Sequence, residues 1–408
     1  MVDAGEDSGR KSRRIIAVSG GGIAGLTAAL TLADAGFGVT VFEKNAEPST
    51  TGAGIQISPN AHNVLNRLGL GRALRTAATA PNTIEIKSGV TGAHLSEFEL
   101  GGEFHDKYGA SYVTLHRADL LQVLLTACQN NPQISIRYGH AVADVAHHAN
   151  GVTLLVSQNN RLEEEQASAL IGADGVWSQL RHLVHDAPKP EFSGLVAWRS
   201  LVPMDNLSAI FSRTSTGLWL GPDAHLVHYP LRGGSVMNVV AISPSSHTEK
   251  TAKGWLTPAN FKNRDKAFQN WSPAVKHLLQ VPAKWGGWPI YSIRKAGPMT
   301  NGPLCLIGDA AHPMLPFAAQ GGACAIEDAE VLAQECAASP DDLRKAFAQF
   351  QKQRLGRINK VLSLSRNNQR LYHMKPPLDV FRNIAMKIAP QRSLQKRMEW
   401  LYSWSAND

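Results

Sequence analysis

An apolar run, a glycine triplet and an acid near the N-terminus constrain this chain more than any other feature. Ile15, Ile16, Ala17 and Val18 read as a short parallel strand, apolar on both faces. Gly20, Gly22 and Gly25 follow in the spacing G-x-G-x-x-G. Glycines at these places permit a tight turn, close approach of backbone to a pyrophosphate, and close helix–strand packing. A small-residue helix is expected from about Ala24 to Asp34, with its N-terminal amides favouring an anion. A second strand, Val39 to Phe42, ends at Glu43, where the pattern puts a ligand for a ribose hydroxyl. Lys44 is counted with the same site. A carboxylate at Glu43 repels a 2′-phosphate. The chain is therefore expected to open with a βαβ dinucleotide-binding unit.

At 408 residues the chain can form two or more domains around a large core. Its 43% hydrophobic and 18% charged content fits a soluble globular enzyme. The formal charge of +8 raises the question of nucleic acid, but lysines and arginines are scattered without an aromatic-interleaved basic motif. No nucleic-acid partner is expected. A basic surface also attracts anionic nicotinamide cofactors and carboxylate substrates. Cys128, Cys305, Cys324 and Cys336 have neither paired nor metal-type spacing, so no metal site is expected and a reducing cytoplasm is. No apolar run approaches the roughly 20 residues of a membrane span. Arg13-Arg14 leads into a nucleotide-binding strand rather than a signal-peptide apolar region, so neither export nor a membrane partner is expected. Residues 1–12 are polar and read as a disordered tail.

Further along, two more strand ends carry glycine. Ala167 to Ile171 reads as a buried strand running into Gly172-Ala173-Asp174-Gly175. Pro303 to Ile307 is another, running into Gly308-Asp309, with Gln320-Gly321-Gly322 soon after. Between them, residues 82–88 and 94–100 suggest a hairpin, 134–138, 141–145 and 152–157 suggest strands, and 190–245 is rich in strand alternation and turns. Leu120 to Cys128 and residues 255–280 look helical, as does most of the chain beyond Gly321, with a break at Lys375-Pro376-Pro377.

These three segments, with Gly52-Ala53-Gly54-Ile55-Gln56-Ile57-Ser58-Pro59-Asn60 and His116-Arg117-Ala118-Asp119-Leu120, resemble the class A, p-hydroxybenzoate hydroxylase-like FAD-dependent aromatic hydroxylases. The resemblance runs from about residue 14 to 370. It implies an α/β fold: a Rossmann-like FAD-binding domain (13–75, 105–188 and 286–365), an inserted mostly β-sheet substrate domain (76–104 and 189–285), and a helical C-terminal segment (366–408). It implies non-covalent FAD, transient NADH or NADPH, O2, a small phenolic or heteroaromatic acid as substrate, and a monomer or homodimer. Oxygen transfer through a flavin C4a-hydroperoxide is the implied chemistry. Asp309 would hold the flavin ribityl chain, and Gly321 and Gly322 would bring amides to its pyrimidine edge. Arg117 would face the pyrophosphate region, and Asp174 would serve FAD and the nicotinamide. Gln56 is counted with the cofactor residues, and Pro316 would lie near C4a. Arg181 is a weaker candidate for an anionic cofactor.

In the region 190–245, Ala224-His225-Leu226-Val227-His228-Tyr229-Pro230 alternates as a strand does. Period two puts His225, Val227 and Tyr229 on one face, and Leu226 and His228 on the other. A His and a Tyr sharing a face suit binding and deprotonation of a phenol. The 6-hydroxynicotinate hydroxylases carry a matching His-x-x-x-Tyr segment. Gln56, by contrast, is like the 3-hydroxybenzoate type, and Leu315-Pro316-Phe317 resembles the salicylate type, so the substrate stays open among these. Arg199, after Trp198, is either a ligand for a substrate carboxylate or a strand salt bridge or cation–π contact. His312 is read as orienting its loop. A flavin oxidase or dehydrogenase, or a larger polycyclic or non-aromatic substrate, are the alternatives.

Overall fold

The structure, a computed structural model, describes residues 14–48, 53–159, 161–245 and 266–406. The expected disordered tail and the first part of the expected helix at 255–280 therefore lie outside the described residues; Pro273–Gln280 is helical.

The apolar run forms the strand Ile15–Ser19, central to a six-stranded sheet. Its order is Thr300–Asn301, Leu304–Leu306, Ala169–Gly172, Ile15–Ser19, Gly38–Glu43, Ile134–Tyr138. Every pairing except the first is parallel, so both faces need cover. The helices Ile23–Asp34 and Gly321–Ala338 supply it on one side, locked where Thr31 Oγ1 donates to the Ala329 carbonyl at 2.9 Å. The parallel pairing brings Ser19, Gly172 and Leu306 into register, so the three glycine-marked strand ends open at one edge of the sheet.

A second sheet of seven strands runs Gly286–Ser292, Glu191–Pro203, Val236–Pro244, Ala224–Leu231, Ser215–Gly221, Thr83–Ser88, His94–Glu99. The hairpin near residue 90 thus joins strands more than a hundred positions later, through the parallel pair of Thr83–Ser88 with Ser215–Gly221. The strand Gly286–Ser292 is an edge of this sheet, antiparallel to Glu191–Pro203. The domain boundary we propose accordingly moves from residue 285 to the turn after Ser292. One face of this sheet packs Trp198, Trp219 and Leu226 against Phe268, Trp271 and the Pro273–Gln280 helix. The other face looks toward the nucleotide-binding sheet.

Two short strands escape the sequence pattern. Gly54–Ile57, within the glycine-bearing segment 52–60, pairs with Val113–His116. Arg161–Ala167, almost wholly polar, is the outer strand of a three-stranded antiparallel sheet with Gly151–Gln158 and His140–His148. The long helix Leu343–Tyr372 and the helices Leu378–Ile388 and Gln391–Tyr402 complete the C-terminal part.

Candidate functional site

A cavity of about 680 Å³ lies between the two sheets. The site residues expected from sequence line it except Gly25 and Arg181: Gly20, Gly22, Glu43, Lys44, Gln56, Arg117, Asp174, Asp309, Gly321, Gly322, His225, Tyr229 and Pro316. Gly25 sits one turn into the first helix, where an added Cβ would stand 1.9 Å from the Gly20 carbonyl oxygen. Its place is the close helix–strand packing that the motif requires of one of its glycines.

The three glycines divide the work. Gly20 has φ +109°, and a Cβ there would meet the Ala173 carbonyl oxygen at 2.5 Å. Gly22 has no atom within 4 Å of where its Cβ would be, so it presents bare backbone to the cavity. The loop is braced by Glu43, whose Oε2 accepts from Gly21 N at 2.8 Å and whose Oε1 accepts from Asn45 N at 2.9 Å. Oε2 retains a lone pair for a hydroxyl.

Asp174 accepts from Gln179 N at 2.8 Å through Oδ2, while its Oδ1 is buried without a partner. A buried acceptor facing a cavity asks for a donor from whatever fills it. Arg181 does not serve the cavity. Its guanidinium donates to the carbonyls of Ala310 (2.9 Å), Val176 (2.9 Å) and Asp309 (2.8 Å). It ties the Asp174 loop to the Asp309 loop, and so corrects its reading as an anion ligand.

Asp309 opens onto the cavity with protein around it. Desolvation pushes its carboxyl pKa up, against the pull of His312, Arg117 and Arg181. Arg117 begins the helix Arg117–Gln129, where the dipole disfavours a cation, and desolvation lowers its pKa while Asp309 raises it. The loop after Asp309 is anchored from below. Asp328 Oδ2 accepts from Gly308 N at 2.9 Å and from His312 Nε2 at 2.5 Å, and Oδ1 accepts from Arg354 Nε at 2.8 Å. Burial alone would raise the Asp328 carboxyl, but His312, Arg354 and the Gly308 amide outweigh it and hold it at about 2. His312 thus orients the loop, as its position suggested.

Gly321 and Gly322 start an 18-residue helix at the cavity wall, with its positive dipole end inward. A polar triangle that the sequence did not reveal fixes that end. Gln320 Nε2 donates to Ser58 Oγ at 2.9 Å, Ser58 Oγ to Asn60 Oδ1 at 2.6 Å, and Asn60 Nδ2 to Gln320 Oε1 at 3.1 Å. Pro316 lies in a turn held by the long helix, where Ser365 Oγ donates to the Leu315 carbonyl at 2.5 Å and Asn368 Nδ2 to the Phe317 carbonyl at 3.0 Å.

At the other end, strand alternation holds. His225, Val227 and Tyr229 line the cavity, while Leu226 packs in the core beyond and His228 lies against Phe211 and Trp219. His225 is 2% exposed and Tyr229 3%. Desolvation, with His373 adding, pushes the His225 pKa well down, so the ring is neutral near pH 7. Desolvation raises the Tyr229 phenol, against Arg199 and a hydrogen bond with Gln56, so it stays protonated. Gln56 Oε1 accepts the Tyr112 hydroxyl at 2.6 Å. Gln56 therefore bridges two tyrosines at the aromatic end of the cavity. Arg199 lies over Trp288 at 5.2 Å, lines the cavity, and leaves its buried Nε without a hydrogen-bond partner. Among the described residues no carboxylate pairs with it.

The cavity thus has a long glycine-walled end with fixed cations and an unpaired carboxylate oxygen, and a compact end with a neutral imidazole, a protonated phenol and a guanidinium. The residues fit FAD: bare backbone at Gly22, an orphaned acceptor at Asp174, and a helix N-terminus at Gly321. Comparison with known proteins agrees. The family model "FAD binding domain" matches residues 14–361. The chain is 35% identical over 397 residues to a 3-amino-4-hydroxybenzoate 2-monooxygenase of Streptomyces platensis, covering 97% of each. It is 31% identical over 394 residues to a 3-hydroxybenzoate 6-hydroxylase of Polaromonas naphthalenivorans, covering 96% of each. A salicylate hydroxylase solved with substrate superposes with a TM-score of 0.82 at 26% identity, over 97% of both chains. Cavity, sequence and superposition agree, and this chain belongs to the FAD binding domain family.

Proposed function

We propose that this FAD-dependent monooxygenase uses NAD(P)H and O2 to hydroxylate a small aromatic ring that carries a hydroxyl and a carboxylate. One observation carries the reading. A single strand aims His225 and Tyr229 into the same cavity whose far end is walled by Gly22, Asp174 and Asp309.

Bound FAD would supply the electron transfer from the nicotinamide and the activation of O2. The chain's own residues bind and orient it. Gly20 and Gly22 leave room for the diphosphate, Arg117 and Lys44 offer cations to it, and Glu43 keeps a lone pair for a ribose hydroxyl. Asp309 would hold the ribityl chain, Asp174 Oδ1 would accept from the cofactor, and the amides at Gly321 and Gly322 would meet the flavin edge. Pro316 would sit against the reacting face.

At the compact end, Tyr229 donates a hydrogen bond to the substrate hydroxyl oxygen. Neutral His225 accepts the hydroxyl proton, which enriches the ring in electrons for attack on an electrophilic oxygen. Arg199 balances the negative charge of the substrate. Gln56 then works as the bridge that orients Tyr229 rather than as a cofactor ligand. The full-length relatives named for hydroxybenzoates and aminohydroxybenzoates support this substrate class.

The test is NAD(P)H oxidation by the FAD-loaded protein with 3-hydroxybenzoate, 3-amino-4-hydroxybenzoate and salicylate, with product mass read under 18O2. Stimulated turnover that adds one labelled oxygen is expected with at least one of them. His225→Ala and Tyr229→Phe should keep FAD and lose coupled hydroxylation, by roughly 10²–10⁴-fold for a true base. Stimulation that yields only peroxide with every acid would overturn the substrate reading.

A further inference from the structure

Glu327 is wholly buried, one residue before the Asp328 that anchors the Gly308 loop. Both its carboxylate oxygens are taken. Oε1 accepts from Asn60 Nδ2 and from Arg357 Nη2, each at 2.6 Å. Oε2 accepts from Arg354 Nη2 at 2.8 Å and from Arg357 Nε at 2.7 Å. Burial raises its pKa, but Arg354 and Arg357, with the Asn60 amide, outweigh burial and keep the carboxylate ionised.

An ionised carboxylate only accepts, so it decides which way Asn60 faces. The two N–H groups of Asn60 Nδ2 go to Glu327 and to Gln320 Oε1, and its Oδ1 is left for the Ser58 hydroxyl. Gln320 Nε2 is then left to donate to Ser58 Oγ. A turned Asn60 amide would set its oxygen against Glu327 and against Gln320 Oε1, with no proton between them. One charge thus fixes the direction of every bond in the ring behind Gln320. Gln320 caps the helix that Gly321 and Gly322 begin. Those two glycines have no side chain to hold their own backbone, so their amides depend on Gln320 for aim.

We propose that Glu327 is a positioning residue for the flavin: through Asn60 and Gln320 it holds the Gly321 and Gly322 amides where they favour the reduced, negatively charged cofactor over the oxidised one. The proposal rests on the reading that these amides meet the flavin edge. Glu327 does not line the cavity, so it acts only through the groups it holds. Its charge and its grip have opposite signs. A negative charge near the flavin disfavours a reduced anion, and the two arginines already balance it. Well-aimed amides at a helix N-terminus favour that anion. Loss of Glu327 therefore raises the flavin potential if only its charge is felt, and lowers it if its grip is what matters.

The experiment measures three quantities in wild type and four variants: the two-electron midpoint potential of bound FAD, the FAD dissociation constant, and the thermal midpoint of the apo protein. Glu327→Gln and Asn60→Leu should each cut the preference for reduced over oxidised flavin by about tenfold, a fall of about 30 mV. Asn60→Leu leaves Glu327 its arginines, so it carries the test if Glu327→Gln folds poorly. The double variant should fall little further than either single one, because both act through one ring. Gly321→Val checks the underlying reading. Its Cβ would meet only Met314 Cγ within 4 Å, at 3.9 Å, so the fold stands while the flavin is pushed off the amides. That variant should bind FAD more weakly and at a lower potential. Unchanged affinity and potential in Gly321→Val would overturn the reading of the amides. A fall in Gly321→Val, with the potentials of Glu327→Gln and Asn60→Leu unmoved, would keep that reading and sink the role of Glu327, whatever happens to the apo midpoints. A raised potential in Glu327→Gln would show that the flavin feels its charge rather than its grip, and would equally sink it.

Discussion

A Cβ on Gly54 would stand 2.4 Å from Cε2 of Tyr229, so these two residues meet with no room for a methyl group. Gly54 N also donates to Asn238 Oδ1 at 2.8 Å, which ties the short Gly54–Ile57 strand to the strand beside Tyr229. Gly54→Ala should therefore push the Tyr229 ring out of place. Misplacement of a reacting group by about 1 Å can cost roughly 10²-fold. The expected result is a fall in coupled hydroxylation of about 10–100-fold, with FAD still bound. Wild-type coupling in Gly54→Ala would show that Tyr229 has slack or does not act.

Gly22 and Gly25 should part company on substitution. Gly22→Val adds atoms to open space, so the apo fold should keep its thermal midpoint while FAD binding is lost. Gly25→Ala drives a methyl into the Gly20 carbonyl and should lower the apo midpoint itself. Calorimetry of both apo variants, with flavin absorbance after reconstitution, separates the two. Full FAD occupancy in Gly22→Val would remove that glycine from the site.

The cofactor end was legible because its demands are local. A strand, a turn and a helix N-terminus need particular residues at fixed offsets, and Gly20 and Gly22 declare them. Strand alternation likewise told His225 and Tyr229 from His228. What stayed hidden is contact across long separations. Nothing near position 225 announces His373, which lies 148 residues on. Nothing near Gln320 announces Ser58 and Asn60, which lie 262 and 260 residues away from it. Arg181 was misread because an arginine near an anion-binding motif looks the same whether it faces ligand or carbonyls. The polar strand Arg161–Ala167 has no apolar face to signal it, because it is an outer strand and mostly exposed.

Arg181→Met should loosen two cavity loops at once. The change leaves the carbonyls of Val176, Asp309 and Ala310 without their donor, each at a cost of about 1–3 kcal/mol when buried, and not additively. The thermal midpoint of the apo protein should drop and FAD should dissociate faster. Arg181→Lys should rescue little, since an ammonium lacks the planar fork that reaches three acceptors. An unchanged apo midpoint would mean water replaces the guanidinium.

His228 offers a test of stability against pH that leaves the site alone. It is 4% exposed, its Nδ1 has no hydrogen-bond partner, and burial with Lys87 nearby lowers its pKa to about 3. In the unfolded chain a histidine titrates near 6.5. Between those values the unfolded chain binds a proton that the native state refuses. Native stability therefore falls as pH drops from about 6.5 toward 3, by about 1.4 kcal/mol per pH unit from this residue. Above 6.5 the residue contributes no pH dependence. His225 and His373 add slopes of the same sign, so the informative quantity is the difference between wild type and His228→Leu. That difference should shift in favour of the variant by about 2–3 kcal/mol between pH 6.5 and 4.5, read by urea unfolding of FAD-loaded protein at each pH. Hydroxylation at pH 7.5 should stay near wild type, because His228 faces the far side of its strand. Parallel stability curves would mean that His228 is protonated in the native protein. An activity loss as deep as that of His225→Ala, with the fold intact, would reverse the assignment of the two strand faces.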